Sequence, residues 1–260
     1  YKTVFWYGGF SGWQNIGKFT KAQSFDEFHC ADEFSDNSGN AWGCSDAALF
    51  KQIEAYMSNE KEQEKVFHVV LTTSNHPPYT IDVDSIGFPR AKVKSKLPAD
   101  IASDEKTLTE LGHIWYADKT MGDFVKQAQN MYSDTLFVIT GDHSERFSFA
   151  KEQDTRTLSS IPCIFYGMGV QQAWFGYQSV GDHMQLAGTL AEIIGPVGFT
   201  YAALQPSMFA EQGFAFNHRL FAVDGKIYTQ DSSVDKKITD YINSAREVGA
   251  WRVLKGDAVK

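Results

Sequence analysis

Basic side chains are in the minority: 24 Lys and Arg stand against 32 Asp and Glu, a formal net charge of −8 over 260 residues. That deficit excludes binding to nucleic acid or to an anionic membrane surface, both of which select for clustered Lys and Arg. No run of roughly 18 apolar residues occurs, so the sequence contains nothing that spans a bilayer. Cysteine is scarce, with three residues and no CxxC pair, which excludes a metal-thiolate framework. The patterns GxxxxGK, GxGxxG and GxSxG are absent, removing phosphate-cradling loops and a nucleophile elbow from consideration. Repeats, heptads and low-complexity tracts are missing too. The chain opens on YKTVFWYGG, without an initiator Met or signal segment, and so reads as the interior of a longer protein.

What is present is ordinary globular material, 43% apolar and 22% charged, enough for one large domain or two small ones. Short apolar runs at 3–7, 66–73, 135–140 and 161–166 alternate with helical patterns. That alternation predicts an α/β domain whose largely parallel sheet is covered by helices on both faces. Ser45-Asp46 caps a helix carrying Leu49, Ile53, Tyr56 and Met57 on one face, and a longer helix starts near Ser103. A third spans 182–194 and stops at Gly195-Pro196. Region 77–102, rich in proline and without periodicity, reads as a long surface excursion of the kind that forms lids or binding loops. Near the end, RLFAV and KIYTQ flank Asp224-Gly225 as a hairpin, and a final helix covers about 232–248. The division expected is a main domain over 1–210 with a hairpin-and-helix addition over 211–260.

Three of the four apolar runs lead directly into polar segments: GGFSGW, SNHPPY and GDHSER. Ligands of open α/β sheets bind at the carboxyl ends of strands, so these segments are expected to share one rim. Asp142 and His143 offer a hard oxygen and a borderline nitrogen, a donor pair suited to a divalent metal, or else form a solvated turn. Gly141 supplies the break in the strand that would let both reach one ion. His76, halted by Pro77 and Pro78, is placed to hydrogen-bond an anion, or is a loop histidine without function. Trp13, after a glycine-rich turn, lines a groove or covers the sheet edge. His68 lies mid-strand and reads as a hydrogen-bonded core residue; His29 and His218 sit in surface-like polar context, His113 lies on a helix, and His183 stands near a helix start. Cys163 lies in an apolar run and reads as core, while Cys30 and Cys44 form a disulfide or remain two free thiols.

Taken in succession, YKTVFWYGGFSGW, WGCSD, LTTSNHPPY, YADKTMGDFV, FVITGDH, SIPCIFYG and DHMQLAGTLAEIIG resemble the ordered blocks of the lipoteichoic acid synthase-like sulfatases. These form the phosphoglycerol-transferase branch of the alkaline phosphatase superfamily. The resemblance implies an α/β/α sandwich with one divalent metal, Mn²⁺ foremost, with Mg²⁺, Ca²⁺ or Zn²⁺ as alternatives. It assigns Asp142 and His143 to the metal, His76 to the bound phosphate in a catalytic role, and Trp13 to the substrate. Asn15 falls where synthases of this type carry an Arg, which alters the glycerol-phosphate pocket. The family's metal-binding Glu and nucleophilic Thr precede the matched region, so the 260 residues alone are expected to be inactive. The chemistry implied is double displacement through that Thr on a phosphate or sulfate ester of a lipid head group or glycan. The implied location is the periplasmic or extracellular face of a bacterial membrane, with membrane contact only through a segment outside this chain.

Overall fold

A computed structural model describes residues 1–35, 39–60, 65–144, 154–175, 180–210, 214–217, 220–223, 226–229 and 234–255. In chain order the elements are β1 (Lys2–Tyr7), α1 (Ile16–Ala22), β2 (Glu27–Cys30), α2 (Asp46–Met57) and β3 (Val66–Leu71). There follow α3 (Arg90–Lys94), α4 (Ala99–Ala102), α5 (Glu105–Met131), β4 (Leu136–Thr140), α6 (Thr155–Ser159) and β5 (Cys163–Gly167). The last are α7 (His183–Ile194), β6 (Phe214–Phe216), β7 (Leu220–Val223), β8 (Lys226–Thr229) and α8 (Lys236–Lys255). Two compact units emerge, one of residues 1–153 and 161–169, the other of 154–160 and 170–260.

In the first unit β1 is the centre of a parallel sheet ordered β2-β1-β3. Alternation along β1 sends Val4 and Trp6 to one face and Phe5 and Tyr7 to the other. The Val4 face is covered by α2 through Leu49, Phe50 and Ile53, and by α5 through Ala128. The Phe5 face is covered by Phe25, Phe28 and Ile16, the first residue of α1. Each fully buried aliphatic side chain here stabilises the unit by about 1.5–3 kcal/mol. Strand β2 escaped the sequence reading because it is an edge strand of only four residues, half of them Glu and His.

Strands β4 and β5 depart from the parallel expectation, pairing antiparallel with Thr140 opposite Cys163. Phe137 of β4 packs against the α2 core, but Ile164 and Tyr166 of β5 are exposed. Cys163 is exposed as well, a correction to its reading as core. An apolar run reports that a strand forms; it does not report the direction of pairing or whether both faces are covered. Of the two alternatives for Cys30 and Cys44, the structure has no bridge: Cys30 packs with Phe5 and Tyr7 while Cys44 packs with Val4 and Trp6 across the sheet.

Region 77–102 is not a loose excursion. It holds α3 and α4, and it buries Val83 and Phe88 against Tyr116 of α5. Gly112 makes that approach feasible, since a Cβ there would meet Val83 at 2.7 Å. Fully buried His113 fixes the same segment: the Ile81 N–H donates to Nε2 at 3.1 Å, and Nδ1 lies 2.9 Å from the Thr109 carbonyl.

The second unit contains α7, the helix its sequence suggested, and the structure adds a reciprocal capping box of Asp182 and Gln185 at its start. His183 is the residue next to that cap. The antiparallel sheet β6-β7-β8 and helix α8 close around Phe216, Phe221, Ile242 and Ala245. Asp224-Gly225, His218 and the start expected for the last helix lie outside the described residues. Among the described residues no helix is long and apolar enough to cross a membrane.

Candidate active-site rim

Parallel pairing of β1 with β3, Tyr7 opposite Leu71, delivers the first two polar segments to one rim. Gly8 and Gly43 bring the strand exit against the loop before α2. A Cβ on Gly43, whose φ is +150°, would lie 1.9 Å from the Gly8 carbonyl oxygen. The Cys44 N–H donates to that same oxygen at 2.8 Å. On the other side, the Ser11 N–H donates to Asp32 at 2.8 Å and the Ala31 N–H to Gly9 O at 2.9 Å. The Ser11 hydroxyl and backbone N–H hold the Asp32 carboxyl below the usual carboxylate range.

Trp13 begins a 3₁₀ turn ending at Asn15, with Gln14 and Asn15 in the left-handed region at φ 44° and 57°. Trp13 is 40% exposed, and its ring lies 6.0 Å from Tyr7 and 6.3 Å from Trp42. Trp42 in turn lies 4.3 Å from the His76 imidazole. Trp13 and His76, 63 positions apart, therefore share one aromatic chain through Trp42. Asn15 is exposed on the same turn as Trp13.

His76 closes a turn rather than extending from the strand: its N–H donates to Thr73 O at 3.2 Å. Nδ1 lies 2.6 Å from the Pro77 carbonyl. A carbonyl only accepts, so Nδ1 carries a proton and Nε2 is the nitrogen available to a ligand.

Buried Asp46 anchors this turn. Its Oδ1 accepts the Thr73 and Ser74 N–H groups at 3.1 and 2.9 Å, and its own N–H donates to Ser74 Oγ at 2.8 Å. Desolvation pushes its carboxyl pKa up against the lowering effect of those backbone donors. Asn40 ties the loop before α2 to the same turn, donating from Nδ2 to Pro78 O at 3.0 Å and accepting the Trp42 N–H at 2.8 Å. Asn40, Trp42 and the anchoring role of Asp46 were missed from sequence. An acidic N-cap neighbour and a lone WG pair carry no local sign of what they touch 27 to 38 positions away.

Asp142 and His143 follow β4. Both are exposed, with side chains 76% and 38% accessible. The His143 N–H donates to Asp142 Oδ1 at 2.8 Å, and Nε2 stands 3.6 Å from Oδ2. The pair thus combines the local turn with the donor juxtaposition that the sequence allowed. As donors they fit part of a divalent-metal shell, an oxygen and a nitrogen open to solvent. Among the described residues no group of three or more His, Cys, Asp or Glu is placed to hold a metal ion. Glu145 and Arg146, which end the GDHSER segment, lie outside the described residues.

Comparison with known proteins bears on this rim. A sulfatase family model matches residues 1–196. The fold is similar to the crystal structure of the lipoteichoic acid synthase LtaP from Listeria monocytogenes, with TM-score 0.77 and 16% identity over 99% of this chain and 70% of that one. It is also similar to a protein of the alkaline phosphatase superfamily from Vibrio parahaemolyticus, with TM-score 0.67 and 18% identity over 98% of this chain and 66% of that one. A comparison with curated proteins by sequence gave no match. At these identities the two structures establish the alkaline phosphatase-like fold.

Proposed function

The chain belongs to the sulfatase family, and from that premise we propose that its rim binds a phosphate or sulfate ester for transfer or hydrolysis. The observation that carries this reading is the convergence of Trp13 and His76 through Trp42 at the carboxyl ends of β1 and β3. With Nδ1 fixed on Pro77 O, Nε2 of the protonated ring would donate to a non-bridging oxygen or to the leaving group. Trp13 would line the ester's carrier group, beside Asn15.

Members of this family use divalent metals, and Asp142 and His143 would contribute to holding one, foremost Mn²⁺. When bound, the ion would offset the negative charge on the ester oxygens. The acidic chain does not itself attract an anion, so this local positive charge matters for recognition. The nucleophile in this reading is a Thr upstream of Tyr1, with a Glu completing the metal shell. The intact protein would be membrane-anchored with its catalytic part on the outer face of a bacterial membrane. The substrate would be a phosphoglycerol-type head group on a lipid or glycan.

Asn15, a neutral amide, keeps a second reading open, in which water is the acceptor and the enzyme is a sulfatase or phosphodiesterase. Assay of the full-length protein against phosphate and sulfate esters, with and without an alcohol acceptor, separates the two. Transfer product supports the first and free acid alone the second; no turnover of any ester, with a wild-type Thr and Glu upstream, overturns both in favour of a binding module. Sub-micromolar Mn²⁺ binding by the 260 residues alone would contradict the expectation that most of the metal shell lies outside them.

A further inference from the structure

We infer that helix α5 positions His76, with His113 and Tyr116 as positioning residues that hold the two flanks of its turn. This deepens, and rests on, the reading of His76 as the group that meets the phosphate or sulfate.

His113 and Tyr116 lie one helical turn apart on α5, and both are buried. Each directs a polar atom at the backbone of a distant segment. The Ile81 N–H donates to His113 Nε2 at 3.1 Å, across 32 positions. His113 Nδ1 lies 2.9 Å from the Thr109 carbonyl, which only accepts, so the proton sits on Nδ1 and Nε2 is left as the acceptor for Ile81. The Tyr79 ring packs against the same imidazole, with centroids 5.0 Å apart. The Ala47 N–H donates to Tyr116 Oη at 3.3 Å, across 69 positions. Ala47 lies in the first turn of α2, where N–H groups have no partner within the helix.

Those two contacts bracket the turn that carries His76. Upstream, Tyr116 holds the start of α2, and Asp46, next to Ala47, fixes the Thr73 and Ser74 N–H groups. Downstream, His113 holds Ile81, shortly after Pro78, whose carbonyl is fixed by Asn40. Between them His76 Nδ1 is set on Pro77 O, the bond that leaves Nε2 available to a ligand. A fully buried imidazole costs stability unless both nitrogens are bonded, and an apolar side chain would fill the same space without that cost. What the imidazole adds is an acceptor for one loop N–H, and the loop it holds is the one that presents His76.

The test reads the full-length protein in two ways: its dissociation constant for inorganic phosphate, and the nitrogen NMR signals of the His76 ring at alkaline pH, which report where the proton of a neutral imidazole sits. His113→Leu removes the acceptor and keeps an apolar filling. It is expected to weaken phosphate binding by at least about tenfold and to divide the His76 proton between Nδ1 and Nε2. His113→Gln, which can accept the Ile81 N–H, should keep most of the affinity and the proton on Nδ1. Tyr116→Phe should weaken phosphate binding by a smaller factor, and it decides the matter if His113→Leu does not fold. Met57→Ala, at the far end of α2, controls for lost packing: it should lower the melting temperature and leave phosphate binding and the His76 ring unchanged. Unchanged affinity and an unchanged His76 ring in His113→Leu, or in Tyr116→Phe where that variant decides, overturn the inference. So does a loss of phosphate affinity in Met57→Ala as large as that in His113→Leu. His76→Ala separates the two claims. If that variant binds phosphate as tightly as the wild type, the ester reading fails and the role of α5 is judged on the His76 ring alone: a divided proton in His113→Leu sustains it, an undisturbed one overturns it.

Discussion

The two polar clusters of the first unit are built in opposite ways. The rim at β1 and β3 is held from a distance: Asp46 reaches Thr73 and Ser74, Asp32 reaches Ser11, and Asn40 reaches Pro78. Asp142 and His143 after β4 bond to each other and stand exposed. The first arrangement fixes side chains before any ligand arrives, which suits a group that must meet an anion at a set angle. The second leaves its donors open, which suits groups whose geometry is completed by an ion. Stability and function should therefore separate between the two clusters.

The largest expected effect is functional. In the full-length protein His143→Ala should lower turnover of the preferred ester by about a thousandfold, about 4 kcal/mol in the barrier, while shifting thermal stability by less than about 0.5 kcal/mol. A large fall in melting temperature would show that His143 supports packing and would break the contrast. At the rim the order reverses. Asp46→Ala strands the buried Ser74 N–H and the half-buried Thr73 N–H and should cost about 2–4 kcal/mol in urea unfolding, whereas Asp46→Asn, which keeps an acceptor, should cost clearly less.

An acid-sensitive contribution of similar size is expected beneath the rim, at His68. The Trp6 indole N–H donates to His68 Nδ1 at 3.0 Å, so the ring is neutral with its proton on Nε2, which faces Glu60 at 3.0 Å. Burial pushes the imidazole pKa down to about 4, with the Lys2 charge adding in the same direction and the Glu27 carboxylate opposing it. The unfolded chain takes up a proton near pH 6.5 and the folded chain does not until about 4. The contribution is therefore complete above pH 6.5 and is lost as pH falls through that window, by about 2–3 kcal/mol in all. Unfolding free energies at pH 7 and pH 4.5, compared with His68→Asn, measure it; parallel pH profiles for the two proteins would disprove it. The smallest effect is expected at Asn40→Ala, about 1 kcal/mol. Its sharper signature is a changed environment at the Trp42 indole, readable by NMR.

Much of the frame was legible. β1, β3, α2 and α7 follow from apolar periodicity, from Ser45 as a cap and from Gly195-Pro196 as a stop, because these signals act within a few residues. The candidate site was legible in part: Trp13 and His76 stood out as polar-segment residues at strand ends, and the structure brings them together. Asp142 and His143 were singled out for the same reason, and the structure shows them as an exposed pair bonded to each other after β4. Trp42 and Asn40 were not found, since the contacts that give them meaning run to Trp13, His76 and Pro78. Region 77–102 was misread because its order comes from Val83 and Phe88 meeting α5, not from any period of its own.

The amino-acid order by itself determined which segments become strands and helices, where they stop, and the succession of blocks that marks the sulfatase family. Those are properties of near neighbours: steric limits on φ and ψ, capping bonds and the alternation of apolar side chains. Only the tertiary structure decided that β5 runs antiparallel to β4, that Cys30 and Cys44 lie on opposite sides of a sheet, and that Trp42 joins Trp13 to His76. Pairing direction, sheet face and contact across dozens of positions depend on how whole elements pack, and a linear pattern does not encode them in any one place.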